Sequence, residues 1–146
     1  MEINVETLGL EELLERFRNL SVNADIYMDR AIGEGALRLQ AHIKPLVPVD
    51  EGTLRNSISV EKTGHLEYSV GTNLKYSVFV EYGTGKLGDP EVPHTEKESW
   101  VYYSEKLGRF VTTHGQPAVH YMHNGFTDGK DAAVDAVVRE VHKWLT

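Results

Sequence analysis

The stretch Asn73–Pro90 reads NLKYSVFVEYGTGKLGDP, and its two possible readings lead to different folds. If Gly83-Thr84-Gly85-Lys86 is a phosphate-cradling loop, the chain is a parallel α/β nucleotide-binding domain. If it is a stop and a turn, no such topology is required. A phosphate loop needs a glycine five residues before its Gly-Lys pair and a Ser or Thr directly after it. Val80 and Leu87 occupy those positions. The loop must also leave a strand and open a helix, whose N-terminus holds the anion. Here the chain continues as LGDPEVP, which opens no long helix. The phosphate reading fails on both counts, so Gly83 and Gly85 are a terminator and a turn.

The segment before the stop allows two conformations. As a strand, Tyr76, Val78, Val80 and Tyr82 share a face; as a short helix, Tyr76, Phe79 and Val80 do. Asn73 as a start and Gly83 as a stop favour the helix. Upstream, SISVEKT and LEYSVGT alternate apolar and polar residues around Gly64-His65 and predict a hairpin. Downstream, WVYYS and RFVTTH form a second β pair around Gly108, after a polar, proline-containing loop over 87–99. The flanks are helical. Leu10, Leu13, Leu14 and Phe17 follow helical spacing, in a leading helix over 8–20. Ile26, Ala36, Leu39 and Ile43 do so in a second helix capped by Ser21 or Asn23 and ended by Pro45 and Pro48. Gly33 and Gly35 mark either a bend or the close approach of another backbone. Val134, Val137, Val138, Val141 and Leu145 mark a C-terminal helix with Thr127 or Asp128 as its cap.

The order of helix, strands and helix, without βαβ alternation, predicts an α+β fold. It comprises a long N-terminal helical segment, a mostly antiparallel sheet of about four strands, a short helix before the GTG turn, and a C-terminal helix. A length of 146 residues fits one domain. Its helical part covers 1–45, its β-rich core 46–126, and its C-terminal helix 127–146.

Fifteen Lys and Arg against 22 Asp and Glu leave a net charge of −7. Such a chain is poorly suited to gripping a phosphate backbone, where basic side chains supply most of the affinity. It has no cysteine, which excludes disulfides, thiolate metal sites and Cys nucleophiles. There is no membrane-length apolar run and no basic start followed by an apolar core, so neither a span nor a signal peptide is expected. His94, His114, His120 and His123 match no zinc-binding spacing. Asp50, Ser57 and a histidine compose a triad only on paper, because no G-x-S-x-G elbow is present. No cofactor, metal or catalytic residue is assigned, and the chain is not expected to be an enzyme.

Two stretches are informative together: LVPVDEGTLRNSISV (46–60) and YSVGTNLKYSVFVEYGTG (68–85). The pair resembles the tail-completion, or head–tail joining, proteins of long-tailed bacteriophages. These proteins carry P-V-D-T-G-x-L-x-x-S-I followed by V-G-T-N-x-x-Y-A-x-x-V-E-x-G-T-G. Pro48, Val49, Asp50, Gly52, Leu54, Ser57 and Ile58 match the first pattern. Val70, Gly71, Thr72, Asn73, Tyr76, Val80, Glu81, Gly83, Thr84 and Gly85 match the second. The resemblance runs from about Ala31 to the end. Glu51 stands where the family has Thr, and Gly115-Gln116-Pro117-Ala118 is followed by Val119-His120-Tyr121 in place of Arg-Pro-Phe.

The resemblance implies a structural virion protein, made in the host cytoplasm and placed at the head–tail interface. It implies a homo-oligomeric ring of six between a head connector or stopper and the tail terminator or tail tube. DNA passes through such a ring without specific binding, and acidity suits a lumen that must not hold phosphates. A tail terminator, or a small non-viral acidic adaptor, is the alternative. The matched positions are expected to act as structure or interface. Asp50 is read as capping one helical turn, Leu54 as pointing into the core, and Arg55 as reaching a carboxylate in its own subunit or a neighbour. The leading helix and the 87–99 loop are the expected neighbour contacts.

Overall fold

The computed structural model describes residues 10–50 and 52–146. Helix α1 spans Leu10–Ile43 and a 3-10 turn follows at Lys44–Leu46. Then come α2 (Thr53–Ser57), β1 (Ser59–Gly64), β2 (Glu67–Gly71), α3 (Ser77–Tyr82), β3 (Trp100–Ser104), β4 (Arg109–Thr113) and α4 (Tyr121–Leu145). The fold is α+β. Its four strands pair as two separate antiparallel hairpins, β1–β2 and β3–β4, where one sheet was expected. Nothing in either hairpin's alternation specifies which other hairpin it joins, so the sequence pattern could not separate one sheet from two.

The N-terminal region is one helix, with no break at residue 21. The Ser21 hydroxyl donates to the Arg18 carbonyl (2.8 Å), and Asn23 Nδ2 donates to the Asn19 carbonyl (3.1 Å). Both side chains bond back within the helix, which makes them interior residues rather than caps. Leu8 lies outside the described residues, as does the placement of the Leu10, Leu13 and Leu14 side chains. Proline at the 3-10 turn then ends the helix, as expected.

The α1 helix continues through both of its glycines; Gly35 is a site of close approach, whereas a Cβ on Gly33 would meet the Tyr68 ring at an ordinary 3.4 Å. A Cβ on Gly35 would lie 2.8 Å from Val137 Cγ2. On α4, one on Gly125 would lie 2.7 Å from the Ile43 Cα. These contacts and the stacking of Tyr27 on Trp144 (4.8 Å between centroids) fix α1 and α4 as an antiparallel pair. That register leaves the turns of α1 before Tyr27, roughly 25 Å of helix, without α4 alongside. Phe17, Val22 and Ile26 are exposed there.

The core forms where α1 ends and α4 begins. Ile43, Val47, Leu54, Ile58 and Tyr121 are buried together, with Leu39, Val70, Leu74, Val80 and Met122 packed around them. Each fully buried side chain of this size contributes about 1.5–3 kcal/mol. Gln40 Nε2 donates to the Ile58 carbonyl (2.8 Å) and ties α1 to the start of β1.

The β1–β2 hairpin is held along α1 by a polar cluster. Lys62 Nζ lies 2.7 Å from Asp29 Oδ1, and the Tyr68 hydroxyl donates to Asp29 Oδ2 (2.9 Å). The Lys62 ammonium, with help from the Tyr68 hydroxyl, holds the Asp29 carboxyl below its ordinary 3.8 against a smaller desolvation effect. The same carboxylate raises Lys62 above 10.5. A depressed carboxyl stabilises the fold above its unfolded value, and that contribution is lost as pH falls through the folded value. A raised ammonium stabilises the fold below 10.5, and its contribution is lost as pH rises through the folded value. Hairpin protection from amide exchange is therefore expected to be flat near neutrality and to fall at both extremes. Lys62→Met should remove most of the acid-side fall beyond that of the rest of the protein. An unchanged acid limb in that variant would refute the coupling.

Candidate assembly interface

The first motif builds the joint between α1 and the β region. Gly52 precedes α2 with φ 77°, a left-handed conformation that glycine adopts cheaply. Leu54 and Ile58 drop into the core, as expected for Leu54. Ser57 Oγ donates to the Leu54 carbonyl (2.7 Å) and lies 2.6 Å from Thr72 Oγ1, which links the two motifs. Two expectations are corrected. Asp50 makes no cap bond to α2; its carboxylate pairs with Lys106 Nζ (2.8 Å) at the tip of β3–β4. Arg55 Nη2 donates to the Val47 and Pro45 carbonyls (3.0 and 3.4 Å), and so braces the turn after α1. A long cation close to several bare carbonyls satisfies them at once, and spacing along the chain could not reveal which acceptors the turn would bring near.

The second motif places a carboxylate inside the protein. The Asn73–Tyr82 stretch takes its helical reading as α3, which stops at Gly83. Asn73 is exposed and Tyr76 stands at the N-cap position, so Asn73 is not the cap. Instead Thr72 Oγ1 accepts the Leu74 amide (3.2 Å). Glu81 is only 6% exposed. Its two oxygens accept the Met122 and His123 amides (2.8 and 3.0 Å), and its backbone carbonyl accepts the His120 amide (3.0 Å). Met122 and His123 lie in the first turn of α4, where helix amides have no internal partner and the helix dipole favours an anion. Glu81 therefore caps α4 from α3. This corrects Thr127 and Asp128, which lie inside α4, a helix that begins at Tyr121. Tyr121 itself is buried, its hydroxyl donates to the Ser77 carbonyl (3.4 Å), and burial pushes its phenol above the ordinary value.

The GTG turn closes this arrangement. Thr84 forms an antiparallel bridge with Gln116. Gln116 Nε2 also donates to the Phe79 carbonyl (2.7 Å). Gly83 has φ 73°, and a Cβ there would lie 2.6 Å from both the Ala118 nitrogen and the Gln116 carbonyl oxygen. A Cβ on Gly85 would meet the Trp100 ring at 3.0 Å. Lys86, which first suggested a phosphate ligand, pairs with Glu98. Gly71 ends β2 opposite Ser59, and nothing lies near its missing Cβ; the structure does not explain its glycine. The 87–99 segment is stitched back to α3 by the Asp89 amide, which donates to the Tyr82 carbonyl (2.7 Å).

Both motifs border one cleft of 500 Å³, lined by Pro48, Asp50, Leu54, Tyr76, Val80 and Lys106 among others. Among the described residues its walls offer the Asp50–Lys106 ion pair, the polar side chains of Thr53, Tyr76 and Gln116, and apolar side chains, with no histidine. Among the described residues, no group of three or more His, Asp or Glu is placed to hold a metal ion, and no helix is long and apolar enough to cross a membrane.

Val78, Phe79, Tyr102, Leu107 and Val138 are among many large apolar side chains left exposed. Contiguous patches of that kind mark surfaces that bind other proteins. The β3–β4 hairpin carries much of this surface, and no motif singled it out. The signal available was the unbroken run Trp100-Val101-Tyr102-Tyr103, which puts large side chains on both faces of β3, so that Val101, Tyr103 and Phe110 share a face where polar residues are usual.

Comparison with curated proteins and with solved structures returns no match. Comparison with protein families matches residues 11–83, half of the chain, to the HK97-gp10-like family, described as "Bacteriophage HK97-gp10, putative tail-component". The matched span runs from α1 through the joint and β1–β2 to Gly83, so both Glu81 and the terminating glycine lie within it. The chain therefore belongs to the HK97-gp10-like family of bacteriophage tail components.

Proposed function

We propose that this tail component is a structural protein of the head–tail interface, assembled as a ring of six between the head connector or stopper and the tail terminator or tail tube. The observation that carries this reading is the set of large apolar side chains exposed among the described residues, above all Val101, Tyr103 and Phe110 on the outward face of β3–β4 and Phe17, Val22 and Ile26 on the part of α1 that precedes Tyr27. Exposed clusters of large apolar side chains mark surfaces that bind other proteins, and a subunit buries them against its neighbours. The net charge of −7 supports a DNA passage that repels phosphates. Glu81, buried and engaged in capping α4, supports a structural use of that carboxylate in preference to chemistry.

Native mass spectrometry of the full chain, alone and mixed with its tail tube protein, should show a closed oligomer. Electron microscopy should place it at the neck of the particle. A chain that remains monomeric in both mixtures and is absent from the neck would refute the proposal.

A further inference from the structure

We infer that the outward face of the β3–β4 hairpin docks into the apolar groove between α1, α4 and β2 of an adjacent copy of this chain, a contact that rests on the ring reading above. The hairpin's inner face is partly used, with Tyr102 on it still half exposed. Trp100 covers Gly85, and Lys106 at the tip pairs with Asp50. Its outer face presents Val101, Tyr103 and Phe110, which are 62%, 53% and 71% exposed. Tyr103 and Phe110 are cross-strand partners in edge-to-face contact, with centroids 5.3 Å apart. They form a preorganised wedge that loses little rotamer freedom on docking. A lone two-stranded hairpin is marginal in water, so covering this face also stabilises the arm.

The receiving surface is a groove of 330 Å³ lined by Ile32, Leu39, Tyr68, Met122, Phe126 and Val134, with others. Phe126 and Val134 are 53% and 60% exposed. The occupant is a second copy because each chain carries both halves, and because the charges permit it. Copies with a net charge of −7 repel one another. Neither the wedge nor the groove lining contains an acidic or basic side chain, so the contact itself sets no like charges against each other. Two aromatic rings and a valine supply on the order of 400 Å², about half of what one partner brings to a standard interface. Wedge and groove are different patches, so the contact is head-to-tail. Such contacts repeat about an axis and close into a ring where the rotation between copies closes, as the ring reading requires.

The chain lacks cysteine, which makes engineered thiols unambiguous. Phe110→Cys and Val134→Cys chains are purified separately, mixed under assembling conditions and oxidised. Cross-linked dimers are expected in the mixture and not in either variant alone. Phe110→Asp changes an exposed residue, should retain the wild-type circular dichroism, and should weaken assembly at least tenfold. Dimers in Phe110→Cys alone would overturn the inference in favour of hairpin–hairpin pairing. Wild-type rings that yield no mixed cross-link and survive Phe110→Asp would overturn it while leaving the ring reading intact. A wild-type chain that never oligomerises, alone or in particles, would overturn both.

Discussion

Glu81→Ala lowers the stability of the isolated chain by about 2–4 kcal/mol, the expected cost of leaving two part-buried helix amides without their partner and removing an anion from a helix N-terminus. For a chain of this size the melting temperature falls by roughly 6–12 °C. A buried carboxylate is normally costly. It is tolerated here because the Met122 and His123 amides approach its two oxygens, and the first turn of α4 supplies partial positive charge. The effect should be local first. Amide exchange in the early turns of α4 should accelerate more than exchange at the Tyr27–Trp144 end. Glu81→Gln keeps one oxygen acceptor but turns an amide donor toward the second N–H, so a loss of about 1–2 kcal/mol is expected. Thermal melts followed by circular dichroism check the order wild type, Gln, Ala. If Glu81→Ala melted within 2 °C of wild type, the capping role would be wrong.

Gly83→Ala is expected to cost about 3 kcal/mol or more, from two sources. A side chain at φ 73° is strained by about 1–2 kcal/mol. The new Cβ also collides with backbone atoms of Gln116 and Ala118 at 2.6 Å, and backbone cannot rotate away as a side chain can. Relief requires separating the Thr84–Gln116 bridge, which lies between the Glu81 cap and the helix that it caps. Loss of the bridge should also move the root of β3–β4. Gly71→Ala is the matched control within the same motif, because its Cβ meets open space and its φ is not left-handed. It should change stability by less than about 0.5 kcal/mol. Equal effects at Gly71 and Gly83 in urea titrations would show that the packing argument fails.

The two glycines show where local reasoning ends. Both match the motif equally well, and only the fold separates an indispensable position from a tolerant one. Glu81 shows the same limit. Its neighbours along the chain place it at the end of an amphipathic segment, where an exposed carboxylate is the default expectation. Its partners lie about 40 residues downstream, and no periodicity connects them.

Local physics was legible in the sequence, and it was enough for the element types. Helical spacing in the flanks, alternation around Gly64, the β-rich runs around Gly108, and the glycine stop after Tyr82 follow from backbone preferences and side-chain period, which act over a few residues. The same local chemistry excluded a phosphate loop, because Val80 and Leu87 lack the atoms that such a loop requires. The resemblance to phage tail-completion proteins rested on the joint and the GTG segment, most of which lies in the span that matches the family. Tertiary structure alone decided the rest: two hairpins instead of one sheet, one continuous helix in place of two, Arg55 on carbonyls, and Glu81 on α4. Each of these depends on which groups separated along the chain meet in space. Hydrogen-bond donors, acceptors and apolar faces are interchangeable in sequence, and only packing selects their partners.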